Sequence, residues 1–461
     1  VGIRRVLLIL STALATAVGV VAIGPVVWAP RASELAATIP TAPLTVTTFA
    51  TPRPEATSSS TLAPPTMPAS PSTVPSSSPG PLAGAPPMGE GPISITQPRL
   101  ARTTRLALQA RLDRLRERYA IPGISVAIVL PDGSTWLGVS GMADVEAETA
   151  VSRSTAFAVA SISKTFTAAL VLALAQEGRI DLDAPVRRYL PGLTKVSSKV
   201  RVRQLLDHTS GLRDYFFHPS IDRQLLSKPA RRWDSARAMR HVGKAYFQPG
   251  KGWHYSNTNY LVLGMLAEVV GKAPIGDQVR TRFLRPLDLD HTWYQPDEKA
   301  SSDVAHGYRF ASASKAAKPI DLSDGSPVVP FTSVVTAAGA AGGFASTAED
   351  LARWAQALYG GDVLAPQYRA AMVDVTRSAA AKSAIPYGYG AQAVEIDGRP
   401  TLGHSGRLLG FRGALRYLPD QRISIAVLTN QSRTDPATIV RSLLRLALTP
   451  VDQPCRCVQR R

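Results

Sequence analysis

Phe157-Ala-Val-Ala-Ser161-Ile-Ser-Lys164 runs on into Thr165-Phe-Thr-Ala-Ala-Leu-Val-Leu-Ala-Leu-Ala-Gln-Glu-Gly178, a long apolar stretch with one serine and one lysine near its start. The composition predicts a buried helix opened by Ser161, with Lys164 three residues on and so on the same helical face. A hydroxyl at the positive end of a helix beside an amine has the makings of a nucleophile with its own base. The same four residues also fit an N-cap serine with a solvated lysine, so the decision rests on the rest of the chain. A second Ser-x-x-Lys, Ser312-Ala-Ser-Lys315, lies in an Ala/Ser/Lys-rich loop before Pro319 and reads as a chance match.

Working outward on the N-terminal side, Leu106, Leu108, Leu112, Leu115 and Tyr119 mark an arginine-rich amphipathic helix. Ile124 to Leu130 and Ser134 to Ser140 read as strands joined by the turn Pro131-Asp-Gly133. On the other side, 180–370 is mainly helical and irregular. Strand signals return at Gly390 to Ile396, Pro400 to Gly403, Gly410 to Tyr417 and Arg422 to Leu428, before a helix from Asp435 to Leu448. The expected fold is α/β of the α+β type: an antiparallel sheet made by N- and C-terminal strands, flanked by helices, with an inserted mainly helical lobe.

Residues 99–450 carry this pattern and are expected to form one catalytic domain. Before them, Arg4 and Arg5 precede an uncharged run from Val6 to Trp28, which matches the roughly 20 apolar residues that cross a bilayer. Residues 1–29 therefore read as a signal anchor or a cleaved signal peptide. Residues 30–98 are rich in Pro, Ser, Thr and Ala and read as a disordered tether. Residues 451–461 form a tail with Cys455 and Cys457, the chain's two cysteines. Their position leaves the domain without a disulfide framework. The expected setting is the cell envelope, membrane-anchored facing outside or secreted.

The formal charge of +18 comes mostly from arginine and implies attraction to polyanions such as anionic lipid or acidic wall polymers. No basic helix with interleaved aromatics and no Cys/His finger spacing supports nucleic acid. His218, His241, His254, His291 and His306 show no metal-ligand spacing, so no metal or cofactor is expected. The absence of a Gly-x-Ser-x-Gly elbow argues against an α/β-hydrolase.

Three further stretches bear on Ser161: Leu205-Leu-Asp-His208-Thr-Ser-Gly-Leu212, then Phe247-Gln-Pro-Gly-Lys-Gly-Trp253-His-Tyr255-Ser-Asn257-Thr-Asn-Tyr260, then Gly403-His404-Ser-Gly406. With Leu182-Asp-Ala-Pro-Val-Arg-Arg-Tyr-Leu-Pro-Gly192, Gly342-Gly-Phe-Ala-Ser-Thr347 and Tyr387-Gly-Tyr-Gly390, they make an ordered set. This set resembles the serine β-lactamase and penicillin-binding superfamily, with class C β-lactamases, secreted D-alanyl-D-alanine carboxypeptidases and related esterases as the nearest branches. The carboxypeptidases look closest.

The resemblance implies a serine hydrolase that forms an acyl-enzyme on D-alanyl peptides, esters or β-lactams; the alternatives it leaves are a β-lactamase, or a penicillin-recognising, wall-binding sensor without turnover. It implies Ser161 as nucleophile, Lys164 as its proton acceptor or electrostatic activator and Tyr255 as proton shuttle, the last with a pKa lowered by Lys164 and His404. Asn257 is expected to hydrogen-bond the substrate amide, and His404 to supply a charge that titrates near neutrality. Gly406 leaves room for substrate along the strand edge, and the N–H groups of Ser161 and Arg407 form the oxyanion hole. Arg407 is a substrate-binding candidate that either binds a carboxylate or narrows the cleft. His208 and Trp253 read as structural. One departure stands out: Gln392 occupies the position where the carboxypeptidase branch has its carboxylate-binding arginine.

Overall fold

The computed structural model describes residues 100–449 except 313 and 315. The expectations for 1–29, 30–98 and 451–461, and Lys315 of the second Ser-x-x-Lys, lie outside the described residues. Among the described residues no helix is long and apolar enough to cross a membrane.

Among the described residues the strands are, in chain order, β1 (Gly123–Val129), β2 (Thr135–Asp144), β3 (Thr149–Ala150), β4 (Phe157–Ala158), β5 (Trp293–Tyr294), β6 (Tyr308–Phe310), β7 (Pro319–Asp321), β8 (Phe344–Ser346), β9 (Gln392–Ile396), β10 (Arg399–Leu408), β11 (Phe411–Leu418) and β12 (Ile423–Thr429). Seven of them make one antiparallel sheet in the order β3-β2-β1-β12-β11-β10-β9. The two ends of the chain meet where β1 pairs β12, with Ile124 opposite Thr429. Every residue of β1 and of β12 is buried, as central strands covered on both faces require. The expected sheet of N- and C-terminal strands is what forms.

Five helices matter for the site: α1 (Arg102–Arg118), α2 (Ser163–Gln176), α3 (Asn257–Gly271), α4 (Ala348–Ala355) and α5 (Pro436–Ala447). On one face of the sheet, Leu108, Leu112 and Leu115 of α1 and Ile439, Val440, Leu443 and Leu444 of α5 cover Val126, Ile128 and Val427. On the other face lies the helical lobe, centred on α2, whose residues from Ser163 to Leu172 are all buried. A helix apolar nearly all round is stable only when surrounded. Phe166 of α2 is stacked between Trp354 of α4, at 4.4 Å, and Phe344, at 4.9 Å.

Two local features differ from the sequence expectation. The α-helix begins at Ser163, and Ser161 sits just before it in the 3-10 turn Ala160–Ile162. The strand expected to stop at Gly403 continues as β10 through Leu408, because its partner β11 holds the register from Leu402–Tyr417 to Leu408–Phe411 despite two glycines. Within the helical region, β4, β8 and β5 form a small sheet that fastens the approach to Ser161. These two- and three-residue strands are too short to show a period.

Candidate active site

Ala160, directly before Ser161, has φ +51°, and His208 has φ +64°. Non-glycine residues in this left-handed region carry strain that the surrounding fold must hold. The turn carrying Ala160 is gripped by β10: a Cβ on Gly406 would lie 2.3 Å from the Val159 carbonyl oxygen. The space at Gly406 is therefore filled by the backbone ahead of Ser161, and not kept open for substrate as the sequence suggested. The glycine is what lets the strand and the serine turn touch.

Lys164 is fully buried, and its Nζ lies 3.1 Å from Ser161 Oγ, 2.8 Å from Asn257 Oδ1 and 2.7 Å from the Ala341 carbonyl oxygen. Burial drives its pKa down to about 7, against a raising influence from the Asp214 charge. The pairing of a weakened ammonium with the serine hydroxyl makes a base available at neutral pH.

Tyr255 precedes α3, with its ring 5.0 Å from Lys164 Nζ and a hydrogen bond between its hydroxyl and Ser161. Burial pushes its pKa up, outweighing that bond. The expected lowering by Lys164 and His404 does not occur, because desolvation dominates and His404 carries no charge. Tyr255 is a neutral phenol here.

His404 is 1% exposed, and burial, then Lys164, push its pKa well below the usual histidine value. Its Nδ1 is 2.7 Å from the Ser405 carbonyl oxygen and its Nε2 is 2.9 Å from the Tyr387 hydroxyl. The carbonyl can only accept, so Nδ1 holds the proton and Nε2 accepts from Tyr387. The cationic histidine expected from the sequence is thus a neutral one with both ring nitrogens engaged.

Asn257 was expected to meet the substrate. It is 7% exposed, with Oδ1 accepting from Lys164 and Nδ2 donating to Asp214 Oδ2 at 2.8 Å. Both ends of the amide are committed inside the protein. His208 accepts at Nδ1 from Ser256 N and from Asn259 Nδ2, and its ring packs 4.4 Å from that of Tyr255. It supports the tyrosine from behind, in keeping with the structural reading.

Gly406 faces the serine turn, and the half-buried Arg407 stands across from Arg412 on β11. The backbone of Arg407 lies along the open edge of the sheet. The last pair between β9 and β10 is Gln392–Gly403, which leaves β10 from His404 to Leu408 without a strand neighbour on that side. Ser405 N donates to Gln392 Oε1 at 3.1 Å across this edge, and the two-residue alternation turns Arg407 N the same way.

Behind Ser405 and Gln392 lies Arg416, 6% exposed. Its Nη2 donates to Ser405 Oγ at 2.7 Å and to Gln392 Oε1 at 3.2 Å. No ion pair joins it to a carboxylate among the described residues, and burial lowers its pKa to about 10.

Four contributors escaped the sequence reading: Asp214, the Ala341 carbonyl, Tyr387 and Arg416. Asp214 lies three residues past the His208-Thr-Ser-Gly211 stretch, and Tyr387 belongs to the Tyr387-Gly-Tyr-Gly390 motif, so those two had a signal. A backbone carbonyl and an arginine on an alternating strand had none. Ser312 is exposed. Elsewhere among the described residues, Asp144, Glu146 and His306 have ligand-type atoms within 4.8 Å of one another, with His306 Nδ1 3.0 Å from Asp321 Oδ2.

An antiparallel sheet backed by a helical lobe, with a serine and a buried lysine beside the free edge of β10, defines a β-lactamase/transpeptidase-like fold. The chain belongs to the Beta-lactamase family, whose model matches residues 108–449, and it is a hydrolase of the serine β-lactamase superfamily. It is 29% identical over 337 residues to "Penicillin-binding protein 4" of Amycolatopsis lactamdurans, covering 70% of this chain and 84% of that one. Among solved structures it is similar to a D-stereospecific amidohydrolase from Streptomyces sp., with TM-score 0.60, 28% identity and coverage of 71% and 94%. It is also similar to the D-amino acid amidase of Ochrobactrum anthropi in complex with D-phenylalanine, with TM-score 0.63, 26% identity and coverage of 75% and 99%.

Proposed function

We propose that this protein is a serine hydrolase that acylates Ser161 and releases the acyl group to water, acting on D-alanyl peptides of the cell envelope or related esters. The observation that carries the reading is the 3.1 Å contact between Ser161 Oγ and a fully buried Lys164 whose pKa falls to about 7. Neutral Lys164 takes the Ser161 proton as Oγ attacks the carbonyl carbon. The backbone N–H groups of Ser161 and Arg407 receive the negative oxygen, a contribution of about 3 kcal/mol per donor in comparable sites. Tyr255, protonated, gives its proton to the leaving group and recovers one from the lysine ammonium. In the second half, the same tyrosine and lysine deprotonate the water that attacks the ester.

Arg416 bears on the substrate. A buried guanidinium with no carboxylate in contact among the described residues, opposed only by the more distant charge of Asp435, leaves positive potential behind the Ser405 hydroxyl and the Gln392 amide. Both groups keep protons to donate outward, and a carboxylate is the ligand that fits them. This favours a peptide with a free terminal carboxylate, and it offsets the absence of an arginine at Gln392. A second reading, a D-amino acid amidase with a neutral leaving end, is favoured by the likeness to that enzyme. Envelope location is part of the proposal and rests on the Val6 to Trp28 run alone.

The test exposes the purified protein to a D-Ala-D-Ala peptide, a D-amino acid amide, a nitrophenyl ester and a chromogenic cephalosporin, and follows turnover and intact mass. Adducts on Ser161 that vanish in Ser161→Ala support the reading. No adduct and no turnover with any of them overturns it. Burst labelling without steady turnover would instead indicate a sensor.

A further inference from the structure

Asp214 is 1% exposed and caps the 3-10 turn Tyr215–Phe217. One carboxylate oxygen accepts from Phe216 N at 3.0 Å, and the other accepts from Asn257 twice, from its backbone N at 3.0 Å and from Nδ2 at 2.8 Å. A turn cap needs only the first of these bonds. The other two bind the carboxylate to the side chain that touches Lys164.

We propose that Asp214 is a positioning residue for the lysine: by fixing which end of the Asn257 amide faces Lys164, it fixes the direction in which the lysine lone pair points. The inference rests on the serine hydrolase reading above.

A neutral amine has two hydrogens and one lone pair. Around Nζ stand three oxygens, and two of them, Asn257 Oδ1 and the Ala341 carbonyl, can only accept. They hold the two hydrogens, and the lone pair is left for the third, the Ser161 hydroxyl. Asn257 would fit almost as well with its amide turned over, but Nδ2 would then donate to the lone pair and the serine would lose its base. An ionised carboxylate accepts only, so it permits Nδ2 on its side and repels Oδ1. Asp214 thereby excludes the turned-over form.

The groups facing Lys164 are Ser161 from its own turn, Tyr255, Asn257 and Tyr260 from α3 and the residues before it, the Ala341 carbonyl, His208 and His404. Burial holds both histidines neutral and both tyrosines protonated. Burial raises the pKa of Asp214 itself, opposed by its three N–H bonds and by Lys164, and its ionised form supplies the charge that favours the lysine ammonium.

The experiment measures the rate constant for acylation of Ser161 by a chromogenic cephalosporin from about pH 5 to 9. In Asp214→Asn, either amide orientation is allowed and the anion is gone. The plateau is expected to fall at least about tenfold and the acid limb to move down by about one pH unit. The exchange Asp214→Asn with Asn257→Asp keeps one carboxylate and one amide, so it remains informative if the single variant does not fold. It places the anion against Nζ, and the limb is expected to move up. Limbs that stay at the wild-type pH in the soluble variants mean that Asp214 is only a turn cap, and the proposal is overturned. Failure of the parent reading looks different: wild-type Ser161 is then not labelled at any pH.

Discussion

Gly406→Ala is the sharpest perturbation the site offers, because its effect is set by backbone and not by any side-chain rotamer. The new Cβ would stand 2.3 Å from the Val159 carbonyl oxygen and 3.3 Å from Ala160 Cβ. Ordinary van der Waals contact begins near 3.4 Å, so β10 and the serine turn must part by about 1 Å. That displacement widens the gap between the N–H groups of Ser161 and Arg407. A misplacement of this size costs about 100-fold in rate, equivalent to about 2.7 kcal/mol of barrier. The forced fit also costs about 1–3 kcal/mol of stability, visible as a lower Tm. The assay is stopped-flow acylation by the chromogenic cephalosporin, with Gly192→Ala as control, since a Cβ there meets nothing within 4 Å. Acylation by Gly406→Ala at the wild-type rate would refute the argument that strand and turn must touch for the serine to work.

Acylation should rise with pH through about 7, where Lys164 loses its proton, with no step from His404 between about pH 5 and 6.5; a limb near 6 that disappears in a His404 variant would contradict this. Tyr387→Phe removes the donor to His404 Nε2 and should lower stability by about 1–3 kcal/mol through one buried unsatisfied acceptor, measured by denaturant titration. Arg416→Met should lower kcat/KM for a carboxylate-terminated peptide at least about tenfold while sparing a nitrophenyl ester; equal losses on both would remove the carboxylate argument.

The helix from Ser163 and the strands at both ends were legible because their residues have strong periods or uniformly apolar runs. Ser161, Lys164, Tyr255, Asn257 and His404 were legible as residues, and the structure does bring them together. Their protonation states were not. Sequence spacing says which charged groups are neighbours, but the sign of the shifts at Tyr255 and His404 is set by how completely water is excluded, which depends on the packing of the whole lobe. Asp214 is hidden in the sequence for a related reason. Between Arg213 and Tyr215 it has the look of a surface acid, and only the fold reveals that it is 1% exposed and bound to Asn257. Arg416 alternates with apolar residues on a strand, the ordinary pattern for a solvent-facing side chain. Gly403 and Gly406 weaken the strand propensity of β10, so the sequence pattern ends it early, whereas pairing with β11 overrides them.

The place where β9 ends has a consequence for what the cleft can hold. Its last pair is Gln392 with Gly403, so a chain lying along β10 has the stretch from His404 to Leu408, roughly 16 Å at about 3.3 Å per residue. Beyond Gly403 the position is occupied by β9 itself, and the Gln392 side chain already claims the Ser405 N–H. The sheet therefore acts as a ruler with a stop at one end: a bound peptide can lengthen only away from Gln392, and at that end it must finish or turn out of the cleft.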